Sequence, residues 1–118
     1  MQNNKILGDF GEKLAQNFLL KQKYKIIETN YKNSIGEIDI VCFDKTEKTY
    51  VFVEVKTRSS AKFGLPREAV NVQKQNKLRL VATEYIKANK IFNQKVRFDV
   101  IEILDKDITH IKNAFWIY

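Results

Sequence analysis

Residues 51–58 read VFVEVKTR, and the alternation within them decides the fold. Side chains along a strand point to opposite faces with a period of two. Val51, Val53 and Val55 therefore share one face, as core residues do, while Glu54 and Lys56 share the other. A carboxylate and an ammonium inside so apolar a strand are costly unless something pairs with them. An ion pair at a sheet edge answers that need, and so does an active site.

The flanking residues extend the pattern. IGEIDIVCF (35–43) reads as a second strand, and the polar DKTEK (44–48) between the two reads as a hairpin connection. YKIIETNYK (24–32), KVRFDVIEIL (95–104) and ITHIKNAFWIY (108–118) supply three more strands. Residues from about 4 to 22 form a helix in this reading, with Leu7, Phe10, Leu14 and Phe18 as its apolar stripe and Ala15 and Leu19 beside them. Gly8 and Gly11 are anomalous there, each costing about 1 kcal/mol against alanine. Small residues would let this helix lie close to a sheet. SSAKFGLPRE (59–68) is a loop, and Pro66 suits the start of a long helix from Arg67 to about Lys90, with Val70, Leu78, Val81, Ala82, Tyr85 and Ile86 on its apolar side. The order α-β-β-β-α-β-β predicts an α/β fold with a mixed sheet flanked by helices.

The chain's 118 residues, 44% of them hydrophobic, suit a single domain spanning 1–118. No apolar run approaches the roughly 20 residues that cross a bilayer, so no membrane role is expected. The start, MQNNKILGDF, lacks the basic-then-apolar pattern of a signal peptide, which makes a cytoplasmic location the expectation. Cys42 is the single cysteine, which excludes an internal disulfide and a cysteine-based zinc site and leaves it as a small buried hydrophobe. Lys and Arg number 21 against 14 Asp and Glu, and the net charge of +7 favours a polyanionic partner such as nucleic acid.

Pairing 35–43 with 51–58 as an antiparallel hairpin over the four-residue loop Lys45–Lys48 sets Asp44 opposite Thr49. Counting back, Asp39 faces Glu54 and Glu37 faces Lys56. Directly opposed residues share a face with Cβ atoms about 4.5–5.5 Å apart, and like charges so placed repel. A divalent cation bound by both carboxylates removes the repulsion and suits the oxygen ligands that Mg2+ prefers. A loop of odd length would put the two acids on opposite faces. Lys56 beside such a cation can orient or deprotonate a bound water, or stabilise charge developing on a phosphate.

Asp39, followed by Glu54-Val55-Lys56 on the next strand, resembles the PD-(D/E)XK nuclease motif. GDFGEKLA, GEIDIV, FVEVKTR, RFD and NAF together resemble the YraN family of small bacterial proteins across nearly the whole chain. That family is similar to archaeal Holliday-junction resolvases and to restriction-endonuclease-like folds. The resemblance implies metal-dependent DNA cleavage, with Asp39 and Glu54 as metal ligands and catalytic residues, Lys56 as the catalytic lysine, and Glu12 matching the helix glutamate that resolvases bring to the site. Ile38 stands where the motif name has proline, and Lys32 where the family has arginine after Asn30-Tyr31.

Other charges have bland readings beside functional ones. Arg58, Lys62, Arg67 and Lys74 could hold a DNA backbone, as could Gln73, or they could be solvated surface. Glu12 could be an ordinary helix residue, and Glu37 a turn residue or ion-pair partner of Lys56. Arg97 and Asp99 read as a structural pair within the sheet. His110 reads as a surface or packing residue with no partner motif. Phe115, Trp116 and Tyr118 read as core closure. Three functions follow: a Mg2+- or Mn2+-dependent endonuclease acting on DNA, including branched or single-stranded DNA; a nucleic-acid-binding module with a nuclease fold and little or no cleavage; or a small assembly protein. A symmetric homodimer would suit a two-stranded substrate, although nothing in the sequence shows one.

Overall fold

The computed structural model describes residues 3–58 and 71–116, with side chains from Leu7 onward. Helix α1 (Asn3–Lys21) leads into strands β1 (Tyr24–Lys32), β2 (Glu37–Asp44) and β3 (Thr49–Arg58), and helix α2 (Val72–Ala88) into β4 (Lys95–Leu104) and β5 (Asp107–Phe115). This is the expected α-β-β-β-α-β-β order. The strands lie side by side in chain order, and only β3 and β4 run parallel. A parallel join needs a long crossover, and α2 lies within it.

Among the described residues, each sheet face meets one helix. Val51, Val53 and Val55 join Ile40, Cys42 and Ile101 beneath Ala15 and Leu19 of α1. Phe52 faces the other way and packs with Ile38, Val41, Phe98, Leu78 and Val81 beneath α2. Alternation from Phe52 therefore carries Glu54 and Lys56 onto the α2 face, at the end of β3 where the core runs out. Cys42 is buried as expected, and burial in apolar surroundings pushes its thiol pKa far up.

The two glycines of α1 behave differently. A Cβ on Gly11 would overlap the side chain of Thr57, 2.9 Å from its Cβ, so this glycine lets α1 lie against β3. Among the described residues a Cβ on Gly8 would meet nothing within 4 Å. Phe10 is 46% exposed and falls outside the helix stripe, and Trp116 at 70% exposure does not close the core. Phe115 does close it, stacked on Phe98 with ring centroids 4.8 Å apart. Helix α2 begins at Val72 rather than Arg67, because Asn71 is its N-cap, with extended backbone and a side chain that accepts from Lys74 N–H at 2.9 Å. Lys62, Pro66, Arg67, Val70 and Tyr118 lie outside the described residues.

At the hairpin end of the sheet sits a buried polar network. Arg97 forks onto Asp99, with Nε 2.9 Å from Oδ1 and Nη2 3.1 Å from Oδ2, and also donates to Tyr24, Asp44 and Glu47. The expected Arg97–Asp99 pair is thus present. His110, by contrast, has a partner after all: its Nε2 lies 2.7 Å from Asp99 Oδ2. The β4–β5 register slips between Phe98 and Val100, which brings Asn113 N–H to Asp99 Oδ1 at 2.9 Å. Burial pushes the Asp99 pKa up, but the hydrogen bonds from His110, Arg97 and Asn113 outweigh it and hold the pKa below the usual carboxylate value. Among the described residues no helix is long and apolar enough to cross a membrane.

Candidate active site

The β2–β3 ladder runs from Asp44↔Thr49 to Ile40↔Val53, the register a four-residue loop requires, and stops there. One step further on, the expected Asp39↔Glu54 pair would fall, but the strands have parted. Asp39 turns its carboxylate into the gap, where Oδ2 accepts from Val55 N–H at 2.8 Å. On the other flank, the pairs Thr29↔Ile40 and Tyr31↔Ile38 bracket Asn30, whose φ of 53° is a left-handed conformation that asparagine tolerates. Because the ladder has ended, Glu37 does not face Lys56; it pairs with Lys32 of β1.

Glu54 is 7% exposed and receives two ammonium groups on one oxygen. Lys74 Nζ lies 2.7 Å from Glu54 Oε2 and Lys56 Nζ lies 3.4 Å from it. Burial, then the neighbouring Glu54 charge, raise the Asp39 pKa to about 7 against the opposing effect of the Val55 hydrogen bond. Glu12 is also raised, by burial and by the charges of Asp9, Glu37 and Glu54, against a hydrogen bond from Asn30. Burial and the adjacent Lys74 lower the Lys56 pKa, although Glu54 opposes this. For Lys74, burial acts downward but is outweighed by the hydrogen bond and charge of Glu54, so its pKa rises. The site therefore brings Asp39 and Glu12, which resist ionising, together with Lys56, which gives up its proton more readily than usual.

Asp39 and Glu54 form the shared wall of two hollows. The hollow on the α2 side, about 230 Å3, is completed by Gly36, Glu37, Lys74, Lys77 and Leu78. That on the α1 side, about 320 Å3, is completed by Leu7, Gly8, Glu12, Val55, Lys56 and Thr57. Lys77 lies across Gly36, where an added Cβ would come within 3.2 Å of its Cε. Asn33 fastens the β1–β2 turn here, accepting from Ile35 and Gly36 N–H and reaching Val81 O of α2. A larger hollow, about 540 Å3, lies elsewhere, among Ile86, Val96, Phe115 and Trp116, and has no acid pair.

The structure thus brings Asp39, Glu54, Lys56, Lys74 and Glu12 together. Glu12 stands toward the rim, and the described residues hold no cluster of three or more Asp, Glu, His or Cys side chains arranged as a metal cage. Gln73 is exposed. Arg58 ends β3 with Nε 2.7 Å from Glu102 Oε2, an ionic contact whose N–H is not aligned as a hydrogen bond. Lys62 and Arg67 lie outside the described residues. Sequence reasoning missed Asn30, Lys77 and Glu102. Glu102 pairs with Lys56 in the parallel ladder, is 3% exposed, and has no hydrogen-bond partner on Oε1. Its signal was available: a glutamate between Ile101 and Ile103 is the same anomaly as Glu54 between two valines. Lys77 follows Lys74 by three residues, on the same helix face.

A mixed five-stranded sheet with helices on both faces and an acid pair at parted strands is an α/β arrangement consistent with a restriction-endonuclease-like fold. The chain belongs to the uncharacterised protein family UPF0102, whose profile matches residues 11–103, and this is the YraN family of the motif resemblance. It is 53% identical over 115 residues to a UPF0102 protein of Clostridioides difficile (strain 630), covering 96% of this chain and 99% of that one. It is 46% identical over 115 residues to a UPF0102 protein of Alkaliphilus metalliredigens (strain QYMF), covering 95% and 99%. Among solved structures, SfsA of Pyrococcus furiosus in complex with Ca2+ aligns with a TM-score of 0.35 and 11% identity, covering 92% of this chain and 63% of that one.

Proposed function

We propose that this protein is a divalent-metal-dependent endonuclease that hydrolyses DNA phosphodiester bonds. One observation carries the reading: Asp39 is held in the gap between β2 and β3 beside Glu54, with its pKa raised to about 7 by burial and by that neighbour. Two acids kept together at such a cost, with lysines on one flank, suit a site that takes a cation when at work. The donor set fits Mg2+ or Mn2+, since Asp39 and Glu54 offer only hard oxygen ligands and Glu12 lies near enough for its charge to be felt by Asp39. The bound ion would polarise a phosphoryl oxygen and lower the pKa of a water.

The remaining roles belong to the chain's own side chains. Lys56, with its lowered pKa, is placed to take a proton from the attacking water or to donate a hydrogen bond to the phosphate. Lys74 and Lys77, on the α2 side, suit contacts to neighbouring phosphates, which hold a strand in register without reading its sequence. Asn30 orients Glu12 through a hydrogen bond. Glu102, beside Lys56 and with a free oxygen, suits holding that ammonium in line.

A second reading, a binding module without cleavage, has one observation in its favour. The Lys74–Glu54 ion pair at 2.7 Å neutralises Glu54 without any metal. One experiment separates the two. The protein is incubated with linear, flapped and four-way DNA in Mg2+, Mn2+ or EDTA. Product that requires the metal, and is lost in Glu54→Gln, is the expected result. Salt-dependent binding without product under every condition selects the binding module.

A further inference from the structure

Gly8 lies inside α1, where a glycine weakens the helix. Packing among the described residues does not account for it: a side chain there would meet none of their atoms within 4 Å, whereas one at Gly11 would overlap Thr57. The open space in front of Gly8 is the α1-side hollow, about 320 Å3, which shares the wall formed by Asp39 and Glu54. Glycine within a regular element, facing empty space beside an acid pair, is the residue used where a backbone must come close to a ligand.

We infer that this hollow seats one nucleoside unit of an unpaired nucleic-acid strand, its sugar or base lying against the backbone of Gly8. The inference rests on the nuclease reading and specifies its substrate. The two hollows lie on either side of the acid pair, so a strand whose phosphate sits at that pair continues into both. The α2-side hollow carries Lys74 and Lys77 and suits the next phosphate. The α1-side hollow carries Lys56 and Glu12 beside the acid pair, but it also offers Leu7, Val55 and the bare backbone of Gly8, against which the uncharged part of a nucleotide can lie. Hollows of about 230 and 320 Å3 admit single nucleotide-sized groups. A base-paired stack cannot enter them, so the strand must be single or frayed where it is held.

The test uses the full chain and two variants, Gly8→Ala and Gly8→Leu. Binding of a fluorescein-labelled oligothymidylate and of a blunt duplex of equal length is followed by anisotropy, in EDTA and in Mn2+, beside melting curves. Gly8→Ala should raise the melting temperature by about 4 °C, since a better helix former replaces glycine and clashes with none of the described residues. The same variant should bind the single strand several-fold more weakly, and Gly8→Leu at least tenfold more weakly. A stabilised Gly8→Ala with wild-type affinity, or a blunt duplex held as tightly as the single strand, overturns the inference. Should Gly8→Leu fail to fold, Gly8→Ala decides alone. Wild-type protein that binds neither probe in either condition overturns the nuclease reading itself, and the inference with it.

Discussion

Lys74 Nζ lies closer to Glu54 Oε2 than Lys56 Nζ does, 2.7 Å against 3.4 Å. A residue of α2 therefore caps a carboxylate presented by β3. In Lys74→Met, Glu54 keeps only the longer contact. The metal-free variant should melt lower, by an amount on the order of 1 kcal/mol because Lys74 is partly exposed and screened. Its rise in Tm on adding Mn2+ should exceed the wild-type rise, since the cation no longer competes with an ammonium. The slope of log affinity for duplex-containing DNA against log salt should shrink by about 0.9, the loss of one phosphate contact. A smaller Mn2+ response than wild type would instead make Lys74 an aid to metal binding.

The pH dependence of stability should have opposite signs at the two ends of the sheet. Asp39 has a folded pKa of about 7, above its value of about 3.9 in the unfolded chain. Between those values the folded state binds more protons, so metal-free stability falls as pH rises through that window, and Glu12 acts the same way. Asp99 is held low, so its contribution is present above the unfolded pKa and is lost as pH falls through its folded pKa. Melting in EDTA should therefore peak in mildly acidic buffer. Asp39→Asn should flatten the slope toward neutral pH, melt higher than wild type near pH 8, and lose the Mn2+ response. A wild-type Tm that climbs steadily to neutral pH would show that Asp39 ionises without cost.

Lys56→Ala should leave folding and DNA affinity nearly intact while single-turnover cleavage slows by about 100-fold or more, the scale of lost acid–base or electrostatic catalysis. Lys56→Arg should not restore the rate, because a guanidinium keeps its proton and places its donors differently. Cleavage at the wild-type rate in Lys56→Ala would remove this lysine from the chemistry, and a variant that merely unfolds would return it to the status of a structural ion pair.

Gly11→Ala should behave opposite to Gly8→Ala. Its methyl would press on Thr57, and overpacking of this kind costs about 1–3 kcal/mol. Since α1 also carries Glu12, cleavage should fall with stability. Thr57→Ala in the same chain removes the overlapping hydroxyl and methyl and should recover part of both. No recovery in the double variant would mean that the strain falls elsewhere along α1.

The hairpin register was legible in the sequence because a period of two and an even loop leave little freedom once Val51, Val53 and Val55 must face a core. The point at which the ladder ends was not. Nothing in the alternation of GEIDIV says that pairing stops at Ile40, because that depends on the left-handed turn at Asn30 and on Asp39 finding Val55 N–H in place of a cross-strand partner. Gly8 and Gly11 look alike in the sequence, and only the packed helix tells one from the other. His110 lies opposite Ile101 and reaches Asp99 two residues back along β4, a contact that depends on the β4–β5 register, which the sequence does not give. Lys74 was readable as a residue facing the site, but its ion pair with Glu54 depended on where Asn71 starts α2.

The solitary parallel join between β3 and β4 has a consequence for how the chain reaches this state. Residues 3–58 contain α1 and a meander of three strands whose contacts are short in sequence, and β4–β5 is likewise a local hairpin. Bringing the two pieces together closes the long loop through α2 and is the slow, entropically costly event. Until then β3 presents an open hydrogen-bonding edge lined by its valines, a template for pairing with other chains. Nascent or truncated chains ending after Arg58 should therefore aggregate, whereas Lys95-to-Phe115 peptide added in trans should suppress that aggregation. Light scattering with and without the peptide reads the difference, and indifference to the peptide would show that this edge is not what makes the half-chain sticky.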